Sequence, residues 1–158
     1  MCSTTTEPDL ENRSEVLTKM SWYMLMIGEY SRAEKVAKEA VRIRQTAMGL
    51  DHPSTLTSMA NLASTYCNQG RWEEAEGLEV QVMETRKTKL GADHPDTLTS
   101  MANLAHTYWS QDRRTEAADL MRRCVEAQKG KLGAEHPDYR NNYRILIRWK
   151  SELGDAEV

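Results

Sequence analysis

Apolar positions along the chain recur with a helical period, and the helices come in pairs. Leu56, Met59, Leu62, Ala63 and Tyr66 stand at the i, i+3, i+4, i+7 spacing that places side chains on one face of an α-helix. Trp72 opens a second stripe that continues through Ala75, Leu78, Val82 and Met83. Gly70 marks the turn between them, and Lys89-Leu90-Gly91 ends the second helix with basic residues in its last turn and glycine just past it. Pro53 sits just inside the start of the first helix, where a missing N–H costs nothing, and Asp51 is placed to cap it; Pro95 and Asp93 repeat the arrangement.

This unit is an internal repeat. Residues 51–63 recur almost unchanged as 93–105, and Leu50–Gly91 shares 24 of 42 positions with Ala92–Gly133. A third, partial copy opens at Glu135-His136-Pro137-Asp138, a further 42 residues on. A divergent copy lies upstream, where Gly28-Glu29-Tyr30 aligns with Gly70-Arg71-Trp72. The pattern predicts helix pairs at about 12–27 and 31–47, 54–69 and 72–89, and 96–111 and 114–131, then a last helix at about 138–152. One pair cannot bury its own apolar face, so the pairs must stack into an all-α solenoid. The expected organisation is a flexible segment 1–11 and one solenoid domain over 12–153, with a tail at 154–158. The domain holds repeats at about 12–49, 50–91 and 92–133 and a capping helix at 138–152, whose Arg140, Arg144, Arg148 and Lys150 suit one wet face.

Composition narrows the function without naming it. With 39% hydrophobic and 28% charged residues the chain can build a core. Its 21 Lys+Arg are offset by 24 Asp+Glu, which lacks the basic excess of a nucleic-acid binder. No stretch approaches the roughly 18 apolar residues needed to span a bilayer, and the first eight residues do not form a signal peptide. Cys2, Cys67 and Cys124 are too few and scattered for a disulfide framework or a C-x-x-C site, so they read as reduced thiols of a cytoplasmic protein. His52, His94 and His136 lie one repeat apart and cannot converge on one metal ion. They are expected to pack at helix starts. No nucleophile elbow, zincin motif or phosphate-cradling loop occurs, so neither catalytic residues nor a cofactor are expected.

The pattern Leu62-Ala63, Tyr66, Gly70, Trp72, Ala75 resembles the tetratricopeptide repeat. The 42-residue period and the linker at 90–98 look like the longer repeat of kinesin light chains and of the C-terminal arrays of fungal NOD-like receptors. Thr99–Ala105 followed by Tyr108-Trp109-Ser110-Gln111 is especially like the fungal arrays. The chain departs from the pattern at Lys19-Met20-Ser21, and at Asp112 and Arg114, where glycine and an aromatic are usual.

The resemblance implies a right-handed solenoid, with Tyr30 and Trp72 as core aromatics wedged between helices. It also implies a concave groove lined by the first helix of each pair. By position, that groove is faced by Asn61, Ser64 and Asn68, then by Asn103 and His106, with Trp109 beside them. Lys19 and Trp22 are its contribution from the first pair, and Arg144 and Arg148 from the last helix. Paired asparagines suit the alternating donors and acceptors of a peptide backbone, though Asn61 and Asn103 could instead bond the neighbouring helix pair. The basic ends would favour acidic residues, and the tryptophans an aromatic or aliphatic anchor. The expected function is non-catalytic binding of an extended, acidic or aromatic peptide. The alternatives are a self-associating structural module, or a sensing fragment of a fungal NOD-like receptor.

Overall fold

The computed structural model describes residues 7–154, which form seven helices and no strand. They are α1 (Glu7–Met26), α2 (Tyr30–Met48), α3 (Pro53–Asn68), α4 (Trp72–Leu90), α5 (Pro95–Ser110), α6 (Arg114–Leu132) and α7 (Pro137–Gly154). From α2 onward each helix begins and ends within two residues of the position read from the repeat. The exception is the start of α1. Residues 7–11, expected to be flexible, are helical, because proline at position 8 is tolerated in a first turn and Asp9 and Glu11 favour the positive end of the helix dipole. Residues 1–6, Cys2 included, and 155–158 lie outside the described residues. Gly154, expected in the tail, closes α7.

The chain divides into two compact units, residues up to Leu78 and residues from Glu79, with the division inside α4. In the first unit, Ala37 of α2 packs with Leu62, Ala63 and Tyr66 of α3 and Ala75 at the start of α4. In the second, Leu98, Met101 and Ala105 of α5 pack with Ala117, Met121, Cys124 and Val125 of α6 and with Leu146 and Trp149 of α7. Small residues at the contact lines let the helix axes approach closely: Ala33, Ala63, Ala75, Ala105 and Ala117 are all fully buried. The Cys124 thiol donates to the Leu98 carbonyl at 3.2 Å, and burial pushes its pKa up to about 12, so it is an inert core residue.

Two local expectations are corrected. The caps are not Asp51 and Asp93 but the histidines that follow them. His52 Nδ1 accepts from Ser54 N at 3.2 Å and His94 Nδ1 from Asp96 N at 3.1 Å, and His136 does the same for Asp138 N at 3.3 Å. Proline in the first helical position makes the residue directly before it the cap, one place later than the aspartate. The expected core aromatics are not buried either. Tyr30 is exposed and Trp72 half-buried, because each is the first residue of its helix and has a turn on one side of it. Tyr66 and Tyr108 are instead held between helices, each lying under an arginine guanidinium, Arg71 at 4.3 Å and Arg113 at 4.0 Å.

The turns within the pairs share one backbone geometry. Gly28 and Gly70 adopt φ of 80° and 72°, and Asp112 takes the same left-handed conformation at φ 63°. Aspartate tolerates that region better than most residues, and its carboxylate pairs with Arg114 Nε at 2.7 Å, but a side chain still strains the backbone there. Asp112→Gly is expected to stabilise the protein by about 0.5 kcal/mol, with relief of strain exceeding the added freedom of the unfolded chain. Thermal denaturation checks the sign, and a fall in melting temperature would refute it.

Glu34 ties the turn before α4 to α2. Its carboxylate accepts from Lys38 Nζ at 2.6 Å, Gln69 Nε2 at 3.0 Å and Arg71 Nη1 at 2.8 Å. These contacts, Lys38 foremost, hold its pKa at about 2, below the ordinary 4.5. The stabilisation is therefore fully present above pH 4.5 and is lost as pH falls toward 2. Glu34→Gln should cost about 1–2 kcal/mol at neutral pH and progressively less as the solution is acidified through that window. Urea denaturation of both proteins across the acid range reads the difference, and a cost that stays constant with pH would contradict the assignment.

Candidate functional site

Each unit has a hollow on the exposed faces of its first helices, and most of the residues read from the sequence line one or the other. In the first unit, Trp22, Leu25 and Met26 at the end of α1 face Asn61, Ser64 and Asn68 on α3 across a pocket of about 330 Å³. The helical period explains the set: 61, 64 and 68 fall on one face of α3, beside the core stripe at 59, 62, 63 and 66. Trp22 is 61% exposed and Met26 68%, so the α1 wall is apolar and open to solvent. The Asn68 amide donates back to the Ser64 carbonyl at 2.8 Å, and Ser64 Oγ to the Ala60 carbonyl at 3.1 Å.

In the second unit, Asn103 and His106 of α5 face Asp138, Asn141 and Asn142 of α7 over a smaller, polar hollow of about 180 Å³ with Gln128 at its back. Asn142 Nδ2 donates to Gln128 Oε1 at 3.2 Å in a buried amide pair, leaving Asn141 exposed. The His106 ring stands edge-on to Trp149, their centroids 5.2 Å apart. Partial burial there, with the nearby Arg148 charge, pushes its pKa below the usual histidine value. The imidazole is accordingly neutral at physiological pH, offering one donor and one acceptor.

Asn61 and Asn103 are the central pair. Both are half-buried and line the pockets, and their side-chain amides hydrogen-bond to no protein atom among the described residues.

The remaining sequence-derived residues are placed differently. Lys19 is paired with Glu15 at 2.6 Å, one turn before Trp22, and does not line the pocket. Trp109 stacks on Trp149 with ring centroids 4.5 Å apart and planes 3° from parallel, under the Arg114 guanidinium. That ring is engaged in the packing of α5 on α7. Arg148 pairs with Glu152 at 3.6 Å, and Arg144 is exposed on α7; neither lines the polar hollow.

Sequence reasoning missed Leu25 and Met26, and the acid–amide run Asp138, Asn141, Asn142. The run sits in the first two turns of α7, earlier than the positions taken from the repeat, and the adjacent asparagines were the available signal. Trp149, the largest fully buried side chain, was also passed over, hidden in a helix read as a basic cap. Among the described residues no helix is long and apolar enough to cross a membrane, and no group of three or more His, Cys, Asp or Glu could hold a metal ion.

Comparisons with known proteins agree with this architecture. The sequence model described as tetratricopeptide repeat matches residues 28–88 and 54–130. A crystal structure from Podosopora anserina, of a candidate kinesin light chain with nearly identical TPR-like repeats, matches with a TM-score of 0.83 and 26% identity over 93% of this chain and 70% of that one. BtubC (BKLC) from P. vanneervenii matches with a TM-score of 0.80 and 17% identity over 90% of this chain and 57% of that one. A TPR-like protein of Chlorobium tepidum matches with a TM-score of 0.70 and 17% identity, covering 94% of this chain and 99% of that one. No curated protein gives a significant match. The fold is an all-α solenoid of the kind these structures share.

Proposed function

Because the chain belongs to the tetratricopeptide repeat family, whose fold generally serves protein–protein interaction, we propose that it is a non-catalytic module binding an extended peptide segment on its first helices. The observation that carries this reading is the pair of half-buried amides, Asn61 and Asn103, that line the two pockets and hydrogen-bond to no protein atom among the described residues. A side-chain amide presents an acceptor and two donors, which is what a peptide backbone needs to exchange its hydrogen bonds with water for bonds to protein. The two pockets ask for different side chains. Trp22, Leu25 and Met26 suit an aromatic or aliphatic anchor, while Asn103, neutral His106 and Asn141 suit a polar residue. Arg144 and Arg148 on α7 favour an acidic segment. A cytoplasmic setting fits Cys67 and Cys124, neither of which forms a disulfide among the described residues. The likeness to fungal receptor arrays rests on the Thr99–Gln111 motif and would make the same surface a ligand sensor.

Fluorescence anisotropy with labelled acidic peptides, with and without a tryptophan, tests the reading. Asn61→Ala and Asn103→Ala should each weaken binding roughly five- to tenfold, as loss of one or two hydrogen bonds implies. Trp22→Ala should remove the preference for the tryptophan-containing peptide. Undiminished affinity in the folded Asn61→Ala/Asn103→Ala protein would rule out the proposed surface.

A further inference from the structure

A further cavity in the second unit, of about 300 Å³, shares no residue with the amide pockets. It is lined by α4, the α4–α5 linker, the first half of α5 and α6, and its size is that of a small-molecule site. The floor is apolar. Leu98 and Met101 of α5 are buried, and Met83, Leu120 and Ala127 pack half-buried on the same core cluster. The rim is charged. Glu84 and Lys87 stand on α4 and pair with each other at 3.6 Å. Asp93 on the linker and Arg123 on α6 are exposed, and their side chains make no hydrogen bond or ion pair among the described residues. One uncommitted anion and one uncommitted cation thus share the edge of an apolar cavity.

The linker side of that edge is fixed in place. Gly91 N donates to the Lys87 carbonyl at 3.0 Å, and the Gly91 carbonyl accepts from Thr97 Oγ1 at 2.8 Å. Thr97 is fully buried, so the segment holding Ala92 and Asp93 is pinned to α5. The repeat separates what is inherited from what is particular to this interval. Leu98, Met101 and Leu120 of the floor repeat Leu56, Met59 and Leu78, whereas Ala92 stands where the preceding linker has Leu50, and Arg123 where α4 has Gln81. A smaller residue at the mouth and a cation on α6 are therefore departures from the repeat, and both face one cavity.

We propose that this cavity binds a small zwitterion with a large apolar body, in chemical terms a free aromatic or branched aliphatic α-amino acid. Its side chain covers Leu98, Met101 and Leu120, its carboxylate meets the planar guanidinium of Arg123, and its ammonium meets Asp93. An amphipathic anion would have Asp93 and Glu84 against it, and an amphipathic cation Arg123 and Lys87; a zwitterion matches both signs. Ion pairs on an exposed rim add little each, so the apolar body supplies most of the affinity and the charges select. Nothing here rests on peptide binding at the amide pockets, and Asn61→Ala/Asn103→Ala should bind the amino acid as the wild type does.

Methyl spectra of the 158-residue chain, labelled at its nine methionines, test the proposal. L-phenylalanine should move the Met83 and Met101 signals with a Kd of about 0.1–1 mM and leave Met59, the repeat equivalent of Met101, in place. Phenylpropionate, which lacks the ammonium, and phenethylamine, which lacks the carboxylate, should each bind about three- to fivefold more weakly. Glycine, without the apolar body, should move neither signal. Arg123→Gln should weaken phenylalanine by about three- to fivefold and leave phenethylamine unchanged. Ala92→Leu should abolish binding by filling the mouth. Both substitutions restore the residue of the preceding repeat, and circular dichroism checks their folding; if Ala92→Leu unfolds, Arg123→Gln carries the test. Met83 and Met101 signals that stay in place at phenylalanine concentrations well above that Kd overturn the proposal. So does phenylpropionate or phenethylamine binding as tightly as phenylalanine, since the cavity would then read only the apolar body.

Discussion

Trp149→Ala is expected to destabilise the second unit by about 3–5 kcal/mol, the range for deleting a fully buried indole. The ring is completely buried, stacked on Trp109 at 4.5 Å and met edge-on by His106 at 5.2 Å, and it belongs to the core cluster shared with α5 and α6. Alanine would leave a cavity between α5 and α7 and strip one face of Trp109 of its partner. A second feature makes the prediction sharper. Trp149 Nε1 is buried with no hydrogen-bond partner among the described residues, so the indole is held by its area in spite of its polar atom. Trp149→Phe keeps an aromatic on Trp109 and removes the orphan donor, and should cost only about 1–2 kcal/mol. Chemical denaturation followed by far-ultraviolet circular dichroism measures both. Similar losses for the two variants would mean that the indole nitrogen has a partner or that the ring's full size is indispensable.

Arg44→Ala should cost about 2–4 kcal/mol in the first unit, because this residue is only 7% exposed and its guanidinium is held by neutral oxygens that its removal would orphan. Nε donates to Ser14 Oγ at 3.0 Å, and Nη1 donates to the Ser54 carbonyl at 2.9 Å and to Ser58 Oγ at 2.6 Å. One side chain thus joins α1, α2 and α3. Burial draws its pKa below the usual arginine value, with Glu15 and Glu11 opposing. The repeat supplies an internal control. Arg86, 42 residues on, donates to Ser100 Oγ at 2.9 Å and to the Asp96 carbonyl at 3.2 Å, but is only half-buried and bridges two helices rather than three. Its replacement by alanine should cost about 1–2 kcal/mol. Adding Ser14→Ala and Ser58→Ala to Arg44→Met should recover part of the loss by removing the stranded hydroxyls. Equal losses at Arg44 and Arg86, or no recovery in the triple variant, would show that desolvation is not what sets the cost. In the third interval the same two places hold Gln128 and Asn142, whose amides bond each other at 3.2 Å, so the joint persists with its charge removed.

What the sequence by itself determined is the periodic part of the structure. Helix limits from Tyr30 to Pro137, the turns at Gly70 and Asp112 and the core stripe on α3 and α5 follow from forces acting within four residues. The 42-residue identity carries them from one pair to the next. The face holding Asn61, Ser64 and Asn68 was legible for the same reason, since helical spacing alone sets it beside the core stripe. Only the tertiary structure decided what each face meets. Met20 is 42% exposed while Leu62 and Leu104, its repeat equivalents, are 5% and 2%, because α1 has no preceding helix within the described residues to lie against it. Trp109 and Cys67 are repeat equivalents, yet Trp109 is drawn into packing by Trp149, a residue 40 positions away that breaks the repeat. His52 and His94 became caps through one ring nitrogen reaching one backbone N–H, a contact that depends on extended backbone before proline rather than on any period. Periodic sequence specifies local geometry because every copy solves the same short-range problem. Burial and partnership depend on neighbours distant in the chain, and those differ at every position where the repeat ends or breaks.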